Sequence, residues 1–222
     1  MRVILGTVVI SVGFAATAWA GPISSKASGR IAESATVLRE IHAVPDKDIP
    51  KELWDKAACV VVIPSLKKAA FIIGGEYGKG LMSCRQNSGW SAPIFMEMQK
   101  GSWGFQIGAE SIDLVMLIMN EGGVKKFLGN KISLGVDASV AAGPVGRNAS
   151  AATDGQLKSE VLSYSRAQGL FAGIDVSGGV LKPDTDDNTD LYGKSVEPYN
   201  VVRGGTIKAP AETQPFMSAL VR

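Results

Sequence analysis

Short apolar runs separated by turn residues are the feature that most constrains the fold of this chain. The runs at 59–63 and 69–74 are rich in apolar and β-branched residues, and a turn signal at 64–68 separates them. A second turn signal follows at 75–79, so this part of the chain predicts a three-strand meander. Further strand-sized runs lie at 90–98, 102–110, 112–119, 131–142, 161–166 and 169–177. Short connections join antiparallel neighbours, and the pattern predicts an antiparallel sheet of about eight strands.

Glycine is abundant, with 26 residues in 222, and several glycines fall inside the strand-sized runs. They include Gly104, Gly108, Gly135 and Gly173. Glycines within strands are typical of bulges, tight bends and strongly curved sheets. Apolar residues at helical spacing predict a helix at 24–43, and shorter helical patterns lie elsewhere around the strands. We therefore expect an α+β fold: a strongly curved antiparallel sheet or partial barrel with short flanking helices.

Residues 1–20 have the pattern of a cleavable signal peptide. Arg2 precedes an almost unbroken apolar run, and Ala18-Trp19-Ala20 supplies the small residues that signal peptidase requires. The run is shorter than the ~20 apolar residues that span a bilayer, which argues against an uncleaved anchor. We expect cleavage after Ala20 and export of the mature chain to the periplasm or the extracellular space.

The mature chain divides into three parts by its pattern. Residues 21–50 form an N-terminal helix and a linker that contains two prolines. Residues 51–205 hold the strand-sized runs and form the α+β domain. Residues 206–222 are a Pro-containing tail with one short helix.

Charge and rare residues exclude several function classes. With 23 Lys and Arg against 21 Asp and Glu, the chain has no global basic field for nucleic acid, so any anion site must be a local patch. One histidine, His42, and two cysteines exclude zinc fingers, His-rich metal cages and iron–sulfur motifs. The sequence has neither a Walker loop nor a Gly-x-Ser-x-Gly string, and its acidic string at 184–190 fails the EF-hand template. We expect no cofactor and no enzymatic activity.

Cys59 and Cys84 are the two cysteines, and export would expose them to oxidising conditions. The predicted meander places Cys59 on its first strand and Cys84 on its third. Two strand intervals are ~9.5 Å, which exceeds the ~7 Å between Cα atoms that a disulfide can span. The pattern therefore argues against a disulfide between them.

Six short strings, taken in order, resemble one known family. They are AAFIIGGEYG at 69–78, GWSAP at 89–93, GFQIG at 104–108, GPVGR at 143–147, SYSRAQGLFAG at 163–173, and Asn188 followed by Tyr192-Gly193. This order is similar to the SYLF domain family, and the similarity extends over about residues 30–205. The resemblance implies binding of membrane lipid and, in some members, of actin, with no enzymatic activity. In eukaryotic members an amphipathic basic N-terminal helix is credited with the lipid contact, and the corresponding segment here is 24–43.

Basic residues in helix and loop positions are the candidate lipid contacts. They are Lys26, Arg30, Lys67, Lys68, Arg147 and Arg166. Arg166 has an alternative role, because it could pair with a strand carboxylate such as Asp113, Asp137 or Asp175. The N-terminal helix also has an alternative role, because its narrow stripe of Ile31, Leu38 and Ile41 could pack on the sheet instead of entering lipid.

The sequence thus predicts a non-enzymatic module that binds an anionic membrane surface or phospholipid headgroups in the cell envelope. The second hypothesis is a protein-interaction or envelope-structural module that uses an exposed strand edge or a surface around Trp90 and Trp103. Neither hypothesis involves nucleic acid or a metal.

Overall fold

The computed structural model describes residues 23–43, 49–70, 73–103, 108–129, 131–146, 158–167 and 170–221. The predicted signal peptide and the candidate residue Arg147 lie outside these residues. Within the described ranges, no helix has both the length and the apolar content needed to cross a bilayer.

A strongly curled mixed sheet forms a half-barrel at the centre of the protein, which confirms the predicted α+β class. Its strands are β1 (Cys59–Ala70), β2 (Ile73–Gln86), β3 (Gly89–Trp90), β4 (Ile94–Trp103), β5 (Gly108–Ile118), β6 (Ile132–Ser133), β7 (Val140–Ala142), β8 (Val161–Ala167), β9 (Leu170–Gly173) and β10 (Gly179–Pro183). The order across the sheet is β6-β10-β4-β2-β1-β5-β8-β7, with β3 added to β2 and β9 added to β8. Neighbours are antiparallel except β7 and β8, which run parallel.

Six α-helices of the described residues surround the sheet. They are α1 (Ser25–His42), α2 (Lys51–Lys56), α3 (Glu121–Gly129), α4 (Thr185–Tyr192), α5 (Pro198–Arg203) and α6 (Gln214–Ala219). The Ser24 hydroxyl starts α1 by accepting a hydrogen bond from the backbone N–H of Ala27 at 3.2 Å. Asp184 caps α4 in the same way, and Gly193 ends that helix in the left-handed conformation at φ 66°.

Helices cover both faces of the sheet, so the protein has two apolar cores. Helices α1, α2 and α6 pack on the face that carries Val60 and Val62, and α3 and α5 pack on the opposite face. The stripe of Ile31, Leu38 and Ile41 on α1 is no more than 2% exposed. Each of these side chains contributes roughly 1.5–3 kcal/mol by burial, so packing on the sheet, the alternative role of this helix, is what holds α1 in place.

The predicted three-strand meander is wrong, because β1 and β2 are two long strands. The expected turn at 64–68 is a β-bulge within β1, where Ser65 adopts φ 53° and its backbone N–H donates to Asp113 at 2.9 Å. A bulge leaves one residue unpaired in the ladder, and the buried Pro64, which has no N–H to donate, is tolerated there. The expected turn at 75–79 is also continuous strand, within β2.

The argument against a disulfide fails for the same reason. Since β1 and β2 are direct neighbours, Cys59 lies opposite Cys84, with Cα atoms 3.9 Å apart. The two sulfur atoms form a disulfide that joins these strands at one end.

Glycines allow close backbone contacts where the sheet curls. A Cβ on Gly80 would lie 1.8 Å from the carbonyl oxygen of Val62, and one on Gly173 would lie 2.3 Å from the carbonyl oxygen of Gly143. No side chain fits at either distance, so these positions require glycine.

Candidate functional site

A basic cleft of about 520 Å³ lies between the first half of α1 and the β1–β2 pair. Lys26 and Arg30 line it from α1, Lys67 from β1 and Lys79 from β2. The structure thus brings together three of the residues predicted from sequence and adds Lys79, which the sequence reasoning missed.

Local periodicity explains why these side chains share one cleft. Lys26 and Arg30 are four residues apart and therefore lie on one face of α1. Tyr77 and Lys79 are two residues apart on β2 and point to the same side of the sheet, and Lys67 lies directly across from Tyr77 in the ladder. Tyr77 is 46% exposed, so it adds an aromatic surface beside the cations.

Two of the four cations are neutralised by carboxylates at the start of α4. Arg30 forms an ion pair with Asp187, and Lys79 forms one with Asp184 and lies 3.4 Å from the second carboxylate. Exposed side-chain fractions in this group range from 5% for Asp184 to 22% for Arg30, so solvent screens these pairs only in part. The cluster joins α1, β2 and α4.

The other two cations are open to solvent. Lys26 and Lys67 are both exposed, and neither forms an ion pair with any residue in the described part of the chain. The cleft therefore has an inner half, where Arg30 and Lys79 are paired, and an outer half, where Lys26 and Lys67 are not paired; Glu33 of α1 is the one carboxylate among its lining residues, so the lining carries net positive charge.

The inner carboxylates differ in how readily they take a proton. Burial raises the pKa of Asp187 above its ordinary value, and the neighbouring Asp184 carboxylate raises it further against the opposing effect of Arg30 and Lys79. Burial alone would also raise the pKa of Asp184, but its hydrogen bonds with Lys79 and Asp187 outweigh that and lower it. Burial likewise opposes the charged form of Lys79, whose pKa is nevertheless raised because Asp184 stabilises its ammonium group. On acidification, Asp187 is the member of the pair that is protonated first.

Two predicted contacts lie away from the cleft. Lys68 follows Lys67 on the strand and so points to the opposite face, where its ammonium group lies 3.8 Å from Glu76. Arg166 forms an ion pair with Glu40 of α1, and its Nε donates to Asp113 at 2.7 Å. Pairing with Asp113 was the alternative role considered for this arginine, and the structure supports that role.

Other residues considered from sequence have packing roles. The ring of His42 lies edge-on to Trp54, with centroids 4.5 Å apart. Trp90 is half-buried beneath the guanidinium of Arg85, 4.4 Å from its ring, and the side chain of Trp103 lies outside the described part. Within the described residues, no group of three or more His, Cys, Asp or Glu residues is arranged to hold a metal ion.

Comparison with known proteins identifies the family. A protein-family model described as "Ysc84: Las17-binding protein actin regulator" matches residues 99–222, more than half of the chain. The chain belongs to the Ysc84 (SYLF) family. This confirms the resemblance found in the sequence strings.

The Ysc84-family relatives include proteins of animals and fungi. The human "SH3 domain-containing YSC84-like protein 1" is 31% identical over 206 residues, which cover 90% of this chain and 60% of the human protein. "Protein YSC84" of Saccharomyces cerevisiae is 33% identical over 179 residues, which cover 79% of this chain and 38% of the yeast protein. The chain therefore spans about 60% or less of the length of these relatives. Their names describe an SH3-containing protein and a Ysc84 protein, and the family description names a regulator of actin.

Proposed function

We propose that this chain is an exported, non-enzymatic Ysc84-family module that binds the headgroups of anionic phospholipids through its basic cleft. One observation carries the proposal: α1 and the β1–β2 pair converge four cations on one cleft against a single lining carboxylate, Glu33, and neither Lys26 nor Lys67 forms an ion pair among the described residues. A phosphate group needs such donors, and the exposed Tyr77 beside them can contact the interfacial region of a lipid.

The expected strength follows from the number of open cations. Each basic residue near an anionic surface contributes about 1 kcal/mol, so Lys26 and Lys67 together supply about 2 kcal/mol. That corresponds to a roughly thirtyfold preference for anionic over neutral membranes. Binding of this kind is reversible and sensitive to salt, because the Debye length at physiological ionic strength is only ~8 Å.

Export forms part of the proposal. The signal pattern of residues 1–20 supports it, and so does the Cys59–Cys84 disulfide, since disulfides persist mainly in oxidising compartments. The lipid surface would then be one of the cell envelope.

Vesicle co-sedimentation tests the proposal. The mature wild-type chain should pellet with vesicles of phosphatidylcholine and phosphatidylglycerol in equal parts, and much less with phosphatidylcholine alone. Lys26→Glu/Lys67→Glu should lose the preference for the anionic vesicles. Lys125→Glu/Lys208→Glu is the matched control, because it changes the net charge equally at exposed sites outside the cleft. Equal losses in both double variants, or equal pelleting of the wild type on both vesicles, would contradict the proposal.

A protein partner is the second candidate, supported by the family description of a protein that binds Las17. The cleft would then receive an acidic segment of the partner. Affinity capture with lipid-free mature chain separates the two candidates: a stoichiometric partner that is lost in Lys26→Glu/Lys67→Glu, with no vesicle binding by the wild type, favours the protein.

A further inference from the structure

One face of α4 carries three carboxylates toward α1 and β2. Asp184 at the N-cap, and Asp187 and Asp190 within the helix, are spaced three residues apart and so lie along one side of α4. Asp187 pairs with Arg30, Asp184 pairs with Lys79, and Asp190 accepts a hydrogen bond from the backbone N–H of Ser24 at 2.9 Å. We call these three residues the acidic face of α4.

The acidic face contacts the same groups that line the basic cleft. Arg30 and Lys79 are two of the four cations that line the cleft, and both are already paired with carboxylates of the chain. A guanidinium held by a carboxylate cannot offer the same N–H donors to a phosphate. An external anion that enters the inner half of the cleft must therefore compete with Asp187 for the charge and the N–H donors of Arg30.

We propose that the acidic face of α4 is an intramolecular competitor that keeps Arg30 and Lys79 from external phosphate groups and so limits the affinity of the cleft. This inference rests on the proposed function, since it concerns regulation of the same cleft. While the acidic face is paired with Arg30 and Lys79, only Lys26 and Lys67 bind the ligand. When the acidic face withdraws, all four cations bind it, and the start of α1 loses its attachment to α4.

Asp187 controls the competition. It bridges both inner cations, pairing with Arg30 and lying 3.4 Å from Lys79. Asp184 also caps α4, and Asp190 accepts its hydrogen bond from a backbone N–H. Replacing the Asp187 carboxylate by an amide removes the competing charge and leaves the size of the side chain almost unchanged. Because one more basic residue then faces the ligand, binding should tighten about fivefold.

The experiment compares the wild type with Asp187→Asn and Asp55→Asn. Asp55 is the matched control, because it pairs with Lys51 on the exposed surface of α2 and its substitution changes the net charge equally. Each mature chain is titrated with vesicles of phosphatidylcholine and phosphatidylglycerol in equal parts and, separately, with inorganic phosphate. The double variant Asp187→Asn/Arg30→Gln should lose the gain, because the released cation is then absent.

The outcomes separate the two proposals. Tighter vesicle binding by Asp187→Asn alone supports the competition. Wild-type binding to vesicles with no difference between the two aspartate variants overturns it and leaves the proposed function standing. If no chain binds vesicles but Asp187→Asn binds inorganic phosphate more tightly, the competition holds and the lipid function fails. If no chain binds vesicles and Asp187→Asn binds inorganic phosphate no more tightly than the wild type, both proposals fail.

A measurement on the wild type needs no substitution. Amide hydrogen exchange at 25–33 should accelerate when anionic vesicles or phosphate bind, since the ligand displaces the acidic face from the start of α1. Unchanged or slower exchange in that segment on binding would overturn the competition even if Asp187→Asn fails to fold.

Discussion

Loss of the Cys59–Cys84 disulfide should destabilise the protein by about 3.5 kcal/mol. The two cysteines are 25 residues apart, and the chain-entropy relation for a loop of that size gives roughly 12 cal/mol/K, or about 3.5 kcal/mol at room temperature. For a domain of this size, each kcal/mol shifts the melting temperature by roughly 2–4 °C, so reduction should lower it by roughly 7–14 °C.

The assay is thermal unfolding of the purified mature chain with and without dithiothreitol. Reduction of the wild type compares the same side chains in two redox states and therefore leaves the core volume unchanged. Cys59→Ala/Cys84→Ala is the control, since the reductant should not change its melting temperature. A thiol reagent applied after unfolding without reductant should detect no free thiol.

Two observations would refute this reasoning. Detection of both thiols as free in the non-reduced protein would show that the bond does not form. A melting temperature that is the same in both redox states would show that the β1–β2 hairpin already restricts the unfolded chain as strongly as the disulfide does.

Two further predictions concern the ion pairs of α1 and its neighbours. Lowering the pH from neutrality to about 4 should strengthen binding to phosphatidylglycerol vesicles, because the pKa of Asp187 is raised, so this carboxylate loses its charge first and releases Arg30. Carboxylates ordinarily begin to take protons near this pH, so Asp187→Asn should show a smaller rise in co-sedimentation than the wild type. An equal rise in both chains would contradict the assignment of Asp187. Arg166→Met should lower the free energy of unfolding in urea by about 1–3 kcal/mol, because it leaves the 14%-exposed carboxylate of Asp113 without its cation. Lys51→Met removes one partner of an exposed ion pair and should lower it by less than about 0.5 kcal/mol. Equal losses in the two variants would refute this.

The sequence was most informative where one face of an element meets the core. The spacing of Ile31, Ala35 and Leu38 predicted both the helix α1 and the face it buries, and all three side chains are at most 2% exposed. Helical periodicity is enough for such a prediction, because the apolar face of a single helix can be recognised without knowledge of the elements it packs on.

The prediction of a three-strand meander in the β1–β2 region is wrong for a physical reason. Residues 59–63 are buried on both faces, so they lack the alternation that marks strand length and continuity. Pro64 and the glycines at 75 and 78 then looked like turns, although the bulge and the close strand packing accommodate them. Reading two turns in place of continuous strands also separated Cys59 from Cys84.

The sequence predicts several residues of the candidate site but not that they lie together in one cleft. Lys26, Arg30 and Lys67 were each candidates, yet their convergence depends on how α1 crosses the sheet, which long-range packing decides. The expected turn at 75–79 includes Lys79, so the sequence does not predict that Lys79 and Tyr77 lie on the same face of one strand. Its carboxylate partners are more than 100 residues away in the chain, and no local pattern could have linked them.

The burial of both faces of β1 has a consequence for folding. In a sheet with one solvent-exposed face, a register shift of one residue exposes the apolar side chains of the strand, and the loss of burial free energy enforces correct pairing. Here a slip of β1 would move apolar residues from one core into the other at little cost in hydrophobicity. Three local features of β1 must set its register instead. They are the disulfide at Cys59, the close contact between Gly80 and the carbonyl of Val62, and the β-bulge at Ser65.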